Sequence, residues 1–121
     1  GVRIARVDGD ALTRVTLGAP TYDAPANAPY TAEQVTIEAT THRLAATFTK
    51  PKAATDPVPV VVTISGSGAQ DRDEYIPVAG GYRPFRQLAD TLAYHGIAVL
   101  RFDDRGFGAS TGNHAAATSK D

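Results

Sequence analysis

Apolar and polar positions along this chain alternate with period two in its first half and shift to a helical period only later. Val2 and Ile4 with Val7, then Leu12, Val15 and Leu17, form two short alternating runs around Asp8-Gly9-Asp10. Asp-Gly between alternating runs is the strongest short-range hairpin signal, so a first hairpin is expected over residues 1–17. Residues 18–33 carry Pro20, Pro25 and Pro29 without periodicity and read as a connector. Val35, Ile37 and Ala39 alternate with polar residues, as do Leu44, Ala46 and Phe48, and the pattern predicts a second hairpin turning at Thr41-His42-Arg43. In it, Ala45, Thr47 and Thr49 occupy the alternate positions.

Val60 to Ile64 is apolar except for Thr63, the pattern of a strand covered on both faces. Pro84 then occupies the first position of a helix in which Phe85, Leu88, Ala89, Leu92 and Ala93 share one face, and Gly96 supplies a left-handed stop. Ile97 to Phe102 reads as another buried strand. Strand, crossover helix and strand predict a βαβ unit with parallel strands. The tail from Thr111 is small and polar and is expected to be exposed.

Composition bounds this picture. The chain has 121 residues, 42% apolar and 21% charged, a globular balance with room for one ordinary domain. A net charge of −1 with interspersed signs gives no electrostatic basis for binding nucleic acid or an anionic membrane. No apolar run is long enough to span a bilayer. Cysteine is absent, which removes disulfides, thiol catalysis and thiolate metal sites. Methionine is absent even at position 1, so a processed product or a fragment is expected. An exported origin is favoured over a trimmed cytoplasmic one, with which the sequence is also compatible.

The chemistry concentrates in two loops, each at the carboxyl end of a predicted parallel strand, where α/β folds place their sites. The first is Ser65-Gly66-Ser67-Gly68-Ala69-Gln70-Asp71-Arg72-Asp73 and the second Asp103-Asp104-Arg105-Gly106-Phe107-Gly108-Ala109-Ser110. In the first, small residues leave backbone N–H groups available to a developing negative charge. A phosphate cradle is disfavoured, because Asp71 stands where a third glycine belongs and the helix begins only near Pro84. Asp71 or Asp73 is expected to lock the loop by pairing with Arg105 or with backbone amides. The five or more oxygen ligands of a calcium site are not evident, and neither a metal nor a cofactor is expected.

These segments together resemble bacterial α/β-hydrolase-fold serine esterases. Residues 64–73 resemble their oxyanion segment, usually His-Gly-Ser-Gly-Pro-Gln-Asp-Arg-Asp, with Ser65 in place of His and Ala69 in place of Pro. Residues 82–90 resemble the start of their first helix, residues 97–110 their strand and Asp-Asp-Arg-Gly-x-Gly-x-Ser loop, and the hairpin 35–49 their first two strands. The similarity covers about residues 33–112. It implies an α/β fold: the N-terminal part of an α/β-hydrolase domain over 33–121, an antiparallel hairpin leading into a parallel βαβ unit, with residues 1–32 an additional segment.

The resemblance further implies a carboxylesterase acting on small acyl esters. Ser67 and Gly68 would supply backbone oxyanion donors and Gly66 the loop geometry, with Asp71, Asp73, Asp103, Arg105 and Gly106 supporting the site. Gly108-Ala109-Ser110-Thr111-Gly112 satisfies the nucleophile-elbow pattern, but Asp103 to Phe107 separate Ser110 from its strand and no helical period follows. His42, His95 and His114 complete no triad in the hydrolase order. The nucleophile, acid and histidine are therefore expected outside this chain, on a C-terminal segment or second chain that would also cover the Val60–Ile64 edge. Alternatives are a peptidase or acyl-peptide hydrolase of the same fold, or a non-catalytic binding or assembly module.

Overall fold

A computed structural model describes residues 3–8, 11–16, 21–55 and 57–118. Two antiparallel strands, β1 (Arg3–Asp8) and β2 (Ala11–Thr16), pair over their whole length, as the alternating runs predict, while Gly9 and Asp10 lie outside the described residues.

The second sheet has four strands in the order β3 (Tyr30–Glu38), β4 (Arg43–Pro51), β6 (Ala98–Phe102), β5 (Val60–Val62). β3 and β4 form the expected hairpin, and β4 continues antiparallel onto β6. β5 and β6 are parallel and adjacent, joined through helix α1 (Pro84–Tyr94). Pro84 begins α1, as its fixed φ favours, and Gly96 follows at φ 78°. The His95 ring Nδ1–H donates to the Thr91 carbonyl at 2.9 Å, closing the last turn. β3 starts at Tyr30, so the last residues expected in the connector, and the division expected between residues 32 and 33, fall inside a strand. Tyr30 explains the early start: it is buried with Ala28 and Ala93, and its hydroxyl donates to Asp90 of α1.

Strand register sorts the sheet into two unlike faces. Tyr30, Thr47, Thr49, Val99 and Arg101 share the face that α1 covers, and all five are buried. Thr47 and Thr49 are fully enclosed, and the loop after β5 brings the Arg72 guanidinium onto Thr47. Val35, Ile37, Leu44, Phe48, Leu100 and Phe102 share the opposite face and are only half-buried, with Ala46 and Ala98 alone buried among them. The more apolar face is thus the less covered one. β5 accentuates this: it is three residues long, lies at the edge of the sheet, and exposes Val60 and Val62 at about half of their surface, while Ile64 just beyond it is 77% exposed. The expectation that 60–64 is covered on both faces is corrected, since Val60 and Val62 on one face and Val61 on the other are all exposed; no described element pairs with its outer edge either.

Candidate functional site

The two loops leave the carboxyl ends of β5 and β6 side by side, as the parallel pairing requires. Asp104 clasps them. Its carboxylate accepts from the Ser65 hydroxyl at 2.6 Å and from the Gln70 amide at 2.9 Å, while its own amide donates to the Gln70 carbonyl at 3.0 Å. Ser65, where the resembled family has His, is therefore a working hydrogen-bond donor between the loops. Between the two clasped ends, the N–H groups of Gly66, Ser67, Gly68 and Ala69 donate to no described residue. Gly68 sits at φ 102°, a conformation that glycine tolerates, and the run from Gly66 to Ala69 is exposed.

A deeper tie lies behind the clasp. Arg72 meets Asp103 in a two-pronged pair, Nε to Oδ1 at 2.9 Å and Nη2 to Oδ2 at 2.8 Å, with both side chains almost wholly buried. The Arg72 and Ala109 amides donate to the same carboxylate, and Arg72 Nη1 reaches Gln34 and Thr47. The Tyr22 ring stacks on the guanidinium at 4.1 Å. Burial pushes the Asp103 carboxyl up, but hydrogen bonds from Arg72 and the two amides outweigh it and hold it below the ordinary carboxylate range. Gly108 is required here: at φ 57°, a Cβ would lie 2.4 Å from Asp103 Oδ2.

The second buried pair behaves differently. Asp73 contacts Arg101 and lies 3.2 Å from Arg83, whose guanidinium stacks on Tyr75. Burial raises the Asp73 carboxyl above its ordinary range despite the attraction of Arg101, and burial likewise lowers Arg101. Arg101 Nε and Thr49 Oγ1 are buried without a hydrogen-bond partner. Asp71 binds backbone amides, as expected, accepting from Asp73 at 3.1 Å and Tyr75 at 2.9 Å. The arginines on Asp73 are Arg101 and Arg83; Arg105, the expected partner, lines the cleft in front of the loops.

That cleft has a volume of about 790 Å³. Leu44, Ile64 and Phe102, from the open face of the sheet, contribute apolar lining, and Ser65 to Gly68 form one side. His42, Arg105 and His114 also line it. His114 gets there because the tail is tied down: Thr111 exchanges hydrogen bonds with Arg43, and Gly106 donates to the Thr111 carbonyl at 3.0 Å. Gly106, at φ 71°, lets the tail pass, since a Cβ would stand 2.6 Å from the His114 amide. Most of the tail is exposed as expected, but His114 is half-buried.

The elbow-like serine is used structurally. Ser110 Oγ donates to the Asp103 carbonyl at 2.8 Å and accepts from the Ala45 amide at 2.9 Å, leaving it turned into the fold. His42 is buried in the β3–β4 connection, with Nδ1 3.1 Å from Thr41 Oγ1. The structure thus brings together Gly66, Ser67, Gly68 and Arg105 at the cleft, and sets Asp71, Asp73 and Asp103 behind it.

Sequence reasoning missed the clasp by Asp104 and the place of His114. The acidic doublet after a strand was visible, but which member faces the neighbouring loop depends on the β5–β6 register. No group of three or more His, Asp or Glu among the described residues could hold a metal ion, and no described helix is long and apolar enough to cross a membrane. No family model matches the chain, and the comparison with curated proteins finds no match.

Proposed function

We propose that this chain supplies the oxyanion-stabilising half of a serine hydrolase site of the α/β-hydrolase type, acting on small acyl esters. One observation carries the reading: the undonated amides of Gly66 to Ala69, clasped at both ends and standing over an open cleft at the carboxyl end of a parallel strand. Ser67 N–H, with Gly68 N–H beside it, would donate to the oxygen of a tetrahedral intermediate. A fixed donor of this kind contributes about 2.7–4 kcal/mol to the transition state. Rigidity matters as much as the donors, because groups already aimed need no reorganisation during reaction.

The nucleophile and its histidine would come from a segment that adds a strand to β5 and covers the apolar face. An exposed, uncharged valine edge is a template for such pairing. The two hydrogen bonds of Ser110 within the fold support a structural role for it rather than this one.

The natively expressed protein is treated with a fluorophosphonate, and the adduct is mapped by peptide mass. The expected adduct lies on a serine outside residues 1–121, and Ser110→Ala leaves labelling in place. An adduct on Ser110, or no adduct on a folded and complete protein, overturns the reading.

A further inference from the structure

Residues 21–29, expected to belong to an additional segment, are fastened along the surface of the sheet-and-helix unit. The Tyr22 ring stacks on the Arg72 guanidinium at 4.1 Å, and its hydroxyl donates to Asp71 Oδ2 at 3.3 Å. One residue on, the Asp23 carbonyl accepts from Arg86 of α1 at 2.7 Å. Ala28 packs with Tyr30 and with Ala93 in the last turn of α1, and the Pro29 carbonyl accepts from the Lys52 amide at 2.8 Å. The segment thus runs beside α1, from the loop that precedes the helix to its last turn. Pro25 and Pro29 restrict the segment when it is undocked, which lowers the entropy lost on docking.

Its first anchor falls on the residues that fasten the loop after β5. Asp71 accepts from the Asp73 and Tyr75 amides through its other oxygen, so Tyr22 bonds to a carboxylate that already shapes the turn toward α1. Arg72 is buried and paired with Asp103 in the plane of its guanidinium, and the Tyr22 ring covers the face of that group. Asp71 and Arg72 directly follow Gln70, where Asp104 clasps the far end of the Gly66 to Ala69 run. Burial, and then the negative charge of Asp71, push the Tyr22 phenol above its ordinary range, which keeps it a donor.

We infer that residues 21–29 are a strap that holds the loop after β5 in place from outside, and that Tyr22 is the positioning residue through which it acts. The inference rests on the esterase reading only for its effect on reaction. Thr21, Asp23 and Pro25 are exposed, so this end of the strap is held mainly by one aromatic side chain. Losing the ring undoes that end and uncovers Arg72.

Amide hydrogen exchange in the 121-residue chain tests this, with Tyr22→Leu set beside Tyr22→Phe. Tyr22→Leu should speed exchange of the Arg72, Asp73 and Tyr75 amides about tenfold, the scale of a cation–π contact partly removed from water. The β3–β4 hairpin should stay within about twofold of the unsubstituted chain. Tyr22→Phe keeps the stack and should restore most of the protection. Unchanged exchange in Tyr22→Leu, an equal rise across the hairpin, or no difference between the two variants each overturns the inference.

In the natively expressed protein, Tyr22→Leu should lower the maximal rate of fluorophosphonate labelling about tenfold and leave the half-saturating probe concentration unchanged. An unaltered maximal rate also overturns the inference. The two readings fail separately: no adduct in the unsubstituted protein removes the esterase reading, and the exchange result then decides the strap by itself.

Discussion

The two faces of the four-stranded sheet show opposite relations between polarity and burial. The face under α1 holds Thr47, Thr49 and Arg101, all essentially inaccessible, while the face bearing Phe48, Leu100 and Phe102 stays half-open. A domain covers apolar surface first, because burial contributes about 25 cal/mol per Å². A sheet that encloses its threonines and leaves its phenylalanines half-exposed has its polar side closed over by α1 and the loop after β5, and its apolar side open to a further layer. The two sheet edges repeat the contrast: β3 carries Glu33 and Glu38 on its edge, and β5 carries only valines.

The covered face should be the more sensitive of the two to substitution. Asp103→Ala leaves Arg72 buried without its carboxylate and frees two amides, so a loss of about 3–5 kcal/mol in chemical denaturation is expected. A loss under 1 kcal/mol would mean that water enters this face. Next come the two pairs compared with each other. Replacing Asp73 and Arg101 together by Leu and Met should be neutral or stabilise by about 1–4 kcal/mol, since burial opposes both charges there. The same double change at Arg72 and Asp103 should destabilise, because two amides would lose their acceptor and Gln34 and Thr47 would lose the Arg72 donor they share.

The same pairs should part company in acid. Asp103 titrates lower in the folded chain than its ordinary value, so its contribution is present above that value and is lost as pH falls through the folded one. Asp73 titrates higher when folded, so its contribution is fully present below the ordinary value and is lost as pH rises through the folded one. Stability followed against pH should therefore lose its acid limb in Asp103→Asn. In Asp73→Asn it should lose the gain seen on acidifying from neutrality to about pH 4. Thr49→Val removes a buried hydroxyl without a partner and should stabilise by about 1 kcal/mol. The smallest effect belongs to the open face: Ile64→Ser should change stability by only about 0.5 kcal/mol or less, yet reduce self-association in sedimentation velocity.

Much of the fold was legible in the sequence because local rules govern it. Pro84, the spacing from Phe85 to Ala93, and Gly96 mark α1, and alternation marks the hairpins. The start of β3 was not legible, since Tyr30 is held by Asp90, sixty residues away. The burial of Thr47 and Thr49 also escaped the pattern. Alternation assigns faces, but which face is covered depends on where α1 and the loop after β5 come to rest. Of the candidate site, glycine spacing indicated the loop of Gly66 and Gly68. Its fastening by Asp104, and the delivery of His114 by Gly106, are long-range contacts that spacing cannot encode.

The outer edge of β5 is the point where the account is most directly exposed to measurement. Residue-resolved hydrogen exchange on the isolated chain should find the Thr63 amide protected, because it donates to the Leu100 carbonyl at 3.0 Å. The alternating geometry of a parallel strand turns the neighbouring Val62 and Ile64 amides outward, so these should exchange at nearly unprotected rates. Protection of Val62 and Ile64 equal to that of Thr63 in the monomeric chain would show the edge already paired. It would contradict the claim that β5 waits for a further strand.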